Sequence, residues 1–299
     1  MHTVRVTAKT ILAEDVVAIE LTGAGLPSWA PGAHVDVEVR PGLVRQYSLC
    51  GDPGARDRWR IAVLREESGR GGSLHLHDTV TEGMTLNVGE PRNNFPLKPS
   101  PEYVFVAGGI GITPLLPMLR AADAAGARWR LYYGGRRRSR MAFLDELAGY
   151  GDRVHVLPED EQGLLPLREI FAAGTAPVYC CGPEPLLAAA ERVCPPDRLR
   201  VERFHARDQT GPTTGFVVSV SGRTIDVGPG ESLLDALDAA GIPMPSSCRE
   251  GTCGSCETAV LAGEVDHRDS VLSEQERADG RTMMVCVSRA RSGRLVLDL

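Results

Sequence analysis

The sequence predicts three consecutive units of different architecture: an antiparallel β-barrel or sandwich over residues 1–99, an α/β unit on a parallel sheet over 100–205, and a small α+β unit over 216–299, with a linker at 206–215. Three observations predict it. Short β-branched bursts fill the first third, strand and helix stretches alternate in the middle, and four of eight cysteines crowd the last quarter. A chain of 299 residues exceeds what one core usually serves and suits several domains.

Each unit has its own pattern. Up to about residue 97, "VRVTAKTI", "VVAIEL", "HVDVEV", "RWRIAVL" and "TLNVGEP" alternate apolar and polar residues between Gly and Pro breaks, the signature of antiparallel strands. From about 100 the style changes. Apolar strands such as "YVFVAGG", "RWRLYYGG", "RVHVLP" and "PVYCCGP" are interleaved with Ala/Leu-rich helices, "PLLPMLRAADAAG", "MAFLDELAG" and "PLLAAAERVC". Repeated strand and helix units imply a parallel sheet covered on its faces, which binds ligands at the carboxyl ends of its strands. "HARDQTGPTTG" is polar and broken by Gly, Thr and Pro, as linkers are. The third unit opens with a hairpin and a helix in "FVVSVSGRTIDVGPGESLLDALDAAG".

Bulk charge narrows the partners. The net charge is -6, and residues 216–299 hold 13 Asp plus Glu against 8 Arg and no Lys, leaving -5 there and -1 on the rest. That distribution argues against nucleic acid and fits an acidic face steered toward a basic partner, or simply a solvated acidic surface. The uncharged stretch Tyr103 to Leu119 contains Gly108, Gly109, Gly111, Pro114 and Pro117, which break a spanning helix, so no membrane is expected. "MHTVRVTAKT" has no secretory pattern, and the cytoplasm is expected. There cysteines bind metal or lie buried rather than forming disulfides.

The strongest motif is "CREGTCGSC" with a distant "MMVCV". Cys248, Cys253 and Cys256 follow a C-x4-C-x2-C spacing, and Cys286 comes after 29 intervening residues. This is the ligand spacing of a plant-type 2Fe-2S cluster. Structural zinc sites usually pair their cysteines in two short couples instead. Gly251 and Gly254 let amide N–H groups approach the sulfurs, and the fourth ligand is expected from a strand elsewhere.

Two further stretches suggest nucleotide sites. "RQYSLC" ends a strand, and "GRGGS" precedes a helix start at "LHLHDTV", so Gly-rich backbone with Arg45 and Arg70 can meet a phosphate. Tyr47 offers a flat face to a flavin ring, and Ser48 a hydroxyl to its reactive edge. "VAGGIGITP" links a strand to a helix without the G-x-G-x-x-G spacing. "YCCGPEPLL" sets Cys181, Gly182 and Pro183 past another strand, where a nicotinamide ring fits. Cys50, Cys180 and Cys194 are expected as small buried hydrophobes.

In this order, over essentially the whole chain, the motifs resemble the phthalate dioxygenase reductase and vanillate demethylase reductase family. The resemblance implies a ferredoxin-reductase-type flavin barrel, an NAD(P)-binding α/β domain and a C-terminal β-grasp ferredoxin. It implies FMN, its phosphate on Arg45, Arg70, Gly71, Gly72 and Ser73 and its ring on Tyr47 and Ser48. NADH would lie on Gly109, Gly111, Thr113, Cys181, Gly182 and Pro183, with Ser48 and Cys181 at the reacting edge. Phe204 matches an aromatic that covers the flavin and yields to nicotinamide. Cys248, Cys253, Cys256 and Cys286 would hold the cluster.

"YYGGRRRSR" puts four arginines and a serine where the adenine ribose would lie, so NADPH stays open beside NADH. The implied activity is that of an oxygenase-system reductase, passing electrons from NAD(P)H through FMN and the cluster to a separate Rieske-type oxygenase. A haem monooxygenase is the alternative acceptor, and an iron-sulfur redox sensor the alternative class. The protein is expected to be a monomer.

Overall fold

The structure is a computed structural model that describes residues 1–172, 174–206, 211 and 213–299. It divides into two compact units, Met1–Glu202 and Arg203–Leu299. Four of the ten residues at 206–215 expected as a linker, 207–210, and also 212, lie outside the described residues.

The first unit begins with six antiparallel strands, β1 (His2–Ala13), β2 (Val16–Thr22), β3 (His34–Arg40), β4 (Leu43–Ser48), β5 (Arg58–Leu64) and β6 (Thr85–Val88), in the order β4-β3-β6-β1-β2-β5. An isolated bridge from Leu49 to Ile61 joins the end of β4 to β5, which curls the sheet into a barrel. Alternation fills it: Val4, Val6, Val35, Val37, Ile61 and Val63 point into one core, and Leu76 from helix α1 (Gly72–Asp78) plugs it.

The same unit continues into five parallel strands. These are β7 (Glu102–Gly108), β8 (Arg128–Gly135), β9 (Val154–Pro158), β10 (Val178–Cys181) and β11 (Leu199–Glu202), in the order β11-β10-β7-β8-β9. The connecting helices are α2 (Leu115–Ala124), α3 (Leu144–Ala148), α4 (Glu159–Gln162), α5 (Leu167–Ala172) and α6 (Glu184–Val193). The helix expected across "MAFLDELAG" shrinks to α3, because Phe143 takes a left-handed φ of 65° and cannot continue a helix. Chain order reverses at β7, whose successor β8 lies on one side and whose later neighbour β10 lies on the other. Ligands of open α/β sheets bind at such a switch point.

Side chains tie the barrel to the parallel sheet. Glu146 on α3 pairs with Arg60 of β5 at 3.1 Å and with Arg120 of α2. Arg120 also donates to the Gly51 carbonyl at 2.6 Å, and Arg60 to that of Cys50 at 2.8 Å.

The second unit holds β12 (Phe216–Val220), β13 (Arg223–Val227), helix α7 (Leu233–Ala239), β14 (Glu257–Ala262), β15 (Val265–Asp266), α8 (Glu274–Asp279), β16 (Thr282–Met284), β17 (Arg289–Ala290) and β18 (Arg294–Asp298). Its main sheet runs β13-β12-β18-β14-β16, with β12 and β18 parallel and the rest antiparallel. Leu233, Leu234 and Leu237 of α7 pack on Val218, Val220, Leu295 and Leu297, and Ser232 caps the helix by accepting from the Asp235 amide at 3.1 Å. Among the described residues no helix is long and apolar enough to cross a membrane.

Candidate functional site

In the barrel, the end of β4 and the start of α1 come together. Gly72 lies against the Arg45 side chain, so close that a Cβ on it would fall 2.8 Å from Arg45 Cγ. Arg45 itself donates to the Val44 carbonyl at 2.7 Å. Gly71, with φ 79°, opens α1 and faces Arg40, a cation that sequence reading did not single out. Arg70 is exposed beside this turn, and the Ser73 hydroxyl accepts from the Glu66 amide at 3.1 Å. Tyr47 packs half-buried on the barrel core, and burial pushes its phenol above the usual range, with Arg45 opposing. Ser48 is buried and its Oγ has no hydrogen-bond partner among the described residues. An orphaned buried hydroxyl is costly unless a ligand satisfies it. That hydroxyl, the half-buried ring and the cationic glycine turn fit a flavin with a terminal phosphate.

In the parallel sheet, the turn after β7 meets the turn after β10. A Cβ on Gly111 would lie 2.3 Å from the Cys181 carbonyl oxygen and 2.6 Å from the Gly182 nitrogen, so only glycine allows this backbone contact. Thr113 is buried and its hydroxyl donates to the Ile110 carbonyl at 2.9 Å, while Gly109 takes φ 53°. Cys181 ends β10, with Gly182 and Pro183 directly after it. Gly109, Gly111, Thr113, Cys181, Gly182 and Pro183 thus lie at the two strand ends whose turns meet at the switch point.

Glu202, which the sequence reading passed over, is the register partner of Cys181 across β10 and β11. Among the described residues its Oε2 is buried without a hydrogen-bond partner, and burial pushes its carboxyl up to about 8. Glu202 as a whole residue is half-buried, but its Oε2 is buried, so desolvation governs the carboxyl. Cys181 is fully buried, and its thiol is pushed well up, first by burial and then by Glu202. An acid closing the short strand "LRVE" was the available signal, but its register against Cys181 is a tertiary fact. Phe204 follows β11 by two residues and is half-buried.

In the second unit, Cys248, Cys253, Cys256 and Cys286 are all buried. Cys248 interacts with the thiols of Cys253 and Cys286, and Cys256 with that of Cys286. The amides of Glu250 and Thr252 donate to Cys248 Sγ at 3.3 and 3.4 Å, and that of Cys248 to Cys253 Sγ at 3.5 Å. Ser255 Oγ lies 3.0 Å from Cys253 Sγ. Hydrogen bonding to Cys253 and Cys286 drives the Cys248 thiol down, and the bond to Cys286 lowers Cys256. Among the described residues no three His, Cys, Asp or Glu side chains meet at a single-ion point. The thiols form instead a chain of neighbours, which suits ligands divided two and two between paired irons.

The loop is held from behind. Gly251 has φ 69°, and a Cβ there would strike Val287 and Asp269, while the Ser270 amide donates to the Gly251 carbonyl at 2.8 Å. Cys286 was expected on a strand; it stands two residues beyond β16, in the turn whose Ser288 amide donates back to Met284. A turn projects a thiol toward the loop, where a strand residue would have pointed into or away from the sheet. Cys50, Cys180 and Cys194 are buried as expected, and burial raises the Cys50 thiol to about 12.

An antiparallel barrel, a parallel α/β sheet whose turns meet at its switch point, and four buried thiols at plant-type cluster spacing are the parts of an electron-transfer reductase. Residues 216–291 match the family model of the 2Fe-2S iron-sulfur cluster binding domain. The chain is 47% identical to phenoxybenzoate dioxygenase subunit beta of Ectopseudomonas oleovorans, over 99% of this chain and 96% of that protein. It is 41% identical to phthalate dioxygenase reductase of Burkholderia cepacia, over 99% and 96%. The solved structure of an intact type IV self-sufficient cytochrome P450 monooxygenase superposes on all of this chain with a TM-score of 0.93 at 44% identity, and the chain spans 41% of that longer one. The chain belongs to the phthalate dioxygenase reductase family, with its ferredoxin-reductase-type barrel, α/β sheet and 2Fe-2S ferredoxin domain.

Proposed function

We propose that this chain is the reductase component of an oxygenase system, delivering electrons from NADH to a separate Rieske-type oxygenase. The observation that carries the reading is the buried set of four thiols, approached by amide N–H groups, on a chain whose turns after β7 and β10 also meet at the switch point of a parallel sheet. When bound, FMN and the cluster supply the change from a two-electron hydride donor to single-electron delivery.

The protein's own part is binding and orientation. Arg45, Arg70, Gly71, Gly72 and Ser73 would hold the FMN phosphate, and Tyr47 and Ser48 its ring, the buried hydroxyl gaining the partner it lacks. Gly109, Gly111, Thr113, Cys181, Gly182 and Pro183 would line the nucleotide. Phe204 is assigned to the flavin by the family resemblance alone. Cys181, its thiol held neutral, packs as an apolar wall rather than acting as a nucleophile. Glu202 keeps its proton at neutral pH, so no fixed negative charge stands beside these strand ends. Cys248, Cys253, Cys256 and Cys286 would hold the cluster, with Glu250 and Thr252 amides stabilising thiolate charge.

An anaerobic titration of the purified, cofactor-loaded protein with NADH tests this, following flavin and iron-sulfur absorbance together. Bleaching of both, followed by reduction of an added acceptor, is the expected result. A cluster that stays oxidised sinks the relay and favours an iron-sulfur redox sensor. A second acceptor, a haem monooxygenase, has one observation behind it: the likeness to the self-sufficient P450 chain. Reconstitution with each acceptor class separates the two.

A further inference from the structure

The loop that follows β8 carries Arg136, Arg137, Arg138, Ser139 and Arg140, and the structure sorts them into two groups. Ser139 and Arg140 anchor the loop to the turn between β1 and β2. The Ser139 hydroxyl donates to Glu14 Oε2 at 3.0 Å, the Glu14 amide donates to the Ser139 carbonyl at 2.8 Å, and Arg140 pairs with Asp15. Arg138 anchors the other side by a two-pronged bond to Glu161 on α4, at 3.0 and 2.8 Å. Both of these arginines are thereby neutralised.

Arg136 and Arg137 are different. Both side chains are exposed and, among the described residues, make no hydrogen bond or ion pair, while their backbones are fixed. The Arg136 carbonyl accepts from the Asp160 amide at 3.3 Å and the Arg137 carbonyl from the Arg140 amide at 3.1 Å. Asp160 acts electrostatically on Arg138 and makes no side-chain bond to either. The result is two unneutralised cations on a loop pinned at both ends, at the carboxyl end of the strand next to β7.

In dinucleotide-binding α/β sheets this edge receives the adenosine ribose: an acid there bonds the 2′-hydroxyl, and an arginine accommodates a 2′-phosphate. No Asp or Glu occurs between Arg128 and Asp145. We propose that Arg136 and Arg137 form a 2′-phosphate subsite, so that this chain accepts NADPH as well as NADH. The proposal rests on the nucleotide reading of the turns after β7 and β10. The 2′-phosphate stays intact, and the hydride leaves either nucleotide in the same way.

The test has two arms on the cofactor-loaded protein. In the first, kcat/KM for NADPH and NADH is measured with an artificial acceptor for the native protein, for R136A/R137A and for R136K/R137K. In the second, 2′,5′-ADP and 5′-AMP are compared by calorimetry at low and high salt. NADPH turnover is expected, with the NADPH-to-NADH ratio of kcat/KM falling about tenfold or more in the alanine variant, as loss of one or two charge-assisted bonds implies, and partly recovering in the lysine variant. 2′,5′-ADP binds more tightly than 5′-AMP, and both salt and the alanine variant erase the difference. NADH turnover without NADPH turnover, or equal binding of the two adenosine phosphates, overturns the subsite and leaves the reductase reading standing. A ratio unchanged in the alanine variant overturns it too. If neither nucleotide is oxidised, the reductase reading fails, and the calorimetry still decides the subsite.

Discussion

Two residues at the carboxyl ends of the parallel strands show how chemistry is set by single atoms. At Gly111 an added methyl would meet the Cys181 carbonyl oxygen at 2.3 Å, and both partners are backbone, which cannot swing aside. Gly111→Ala is expected to cost about 1–3 kcal/mol, in the range of overpacked sites, and to raise KM for NADH several-fold. Thermal melting and steady-state kinetics read the two effects, while the cluster spectrum stays native because Gly111 belongs to the other compact unit. Glu202 gives a pH signature instead. Its carboxyl is pushed from 4.5 to about 8 by burial, so between those values the folded chain holds a proton that the unfolded chain has lost. Its stabilising contribution is complete below pH 4.5 and fades as pH rises to about 8, with a slope of at most about 1.4 kcal/mol per pH unit. Glu202→Gln should flatten that part of the stability curve. A melting series from pH 5 to 8 with identical slopes in both proteins would count against the buried carboxyl.

At the scale of elements, the barrel and the parallel sheet are locked by Glu146 bridging Arg60 and Arg120, whose side chains are 29%, 17% and 31% exposed. Glu146→Ala leaves two half-buried guanidinium groups facing each other, and a loss of about 1–2 kcal/mol is expected, between the values for exposed and buried pairs. Arg128→Ala breaks the pair with Glu102, where the side chains are 77% and 45% exposed, and should leave the melting temperature unchanged. Neither pair was legible in the sequence, since their partners are brought together only by the fold. What was legible followed from periodicity and spacing. The alternation in "HVDVEV" announced β3, the apolar run "YVFVAGG" announced β7, and the cysteine spacing picked out four thiols that fold into one buried set. The short α3 and the turn at Cys286 escaped, because a left-handed Phe143 and a turn after β16 depend on tertiary contacts that override local propensity.

For the whole molecule, the uneven charge is the property a partner meets first. Residues 216–299 carry -5 of the total -6, and this is the stretch that holds the four thiols. Opposite charge on an acceptor would raise the rate of productive encounter by a factor of about 10 to 1,000 at low salt, and the screening length falls to about 10 Å at 0.1 M salt. The second-order rate constant for reducing the oxygenase should therefore drop about tenfold or more between low and moderately high ionic strength. Reduction of the flavin by NADH on the same chain serves as the internal control, since intramolecular steps that follow nucleotide binding do not depend on steering between proteins. Stopped-flow mixing of pre-reduced protein with the acceptor separates the two rates. A steep salt dependence confined to the second-order step assigns the acidic stretch to docking. A flat one assigns it to solvation of the surface, and recognition of the acceptor must then rest on shape and apolar contact.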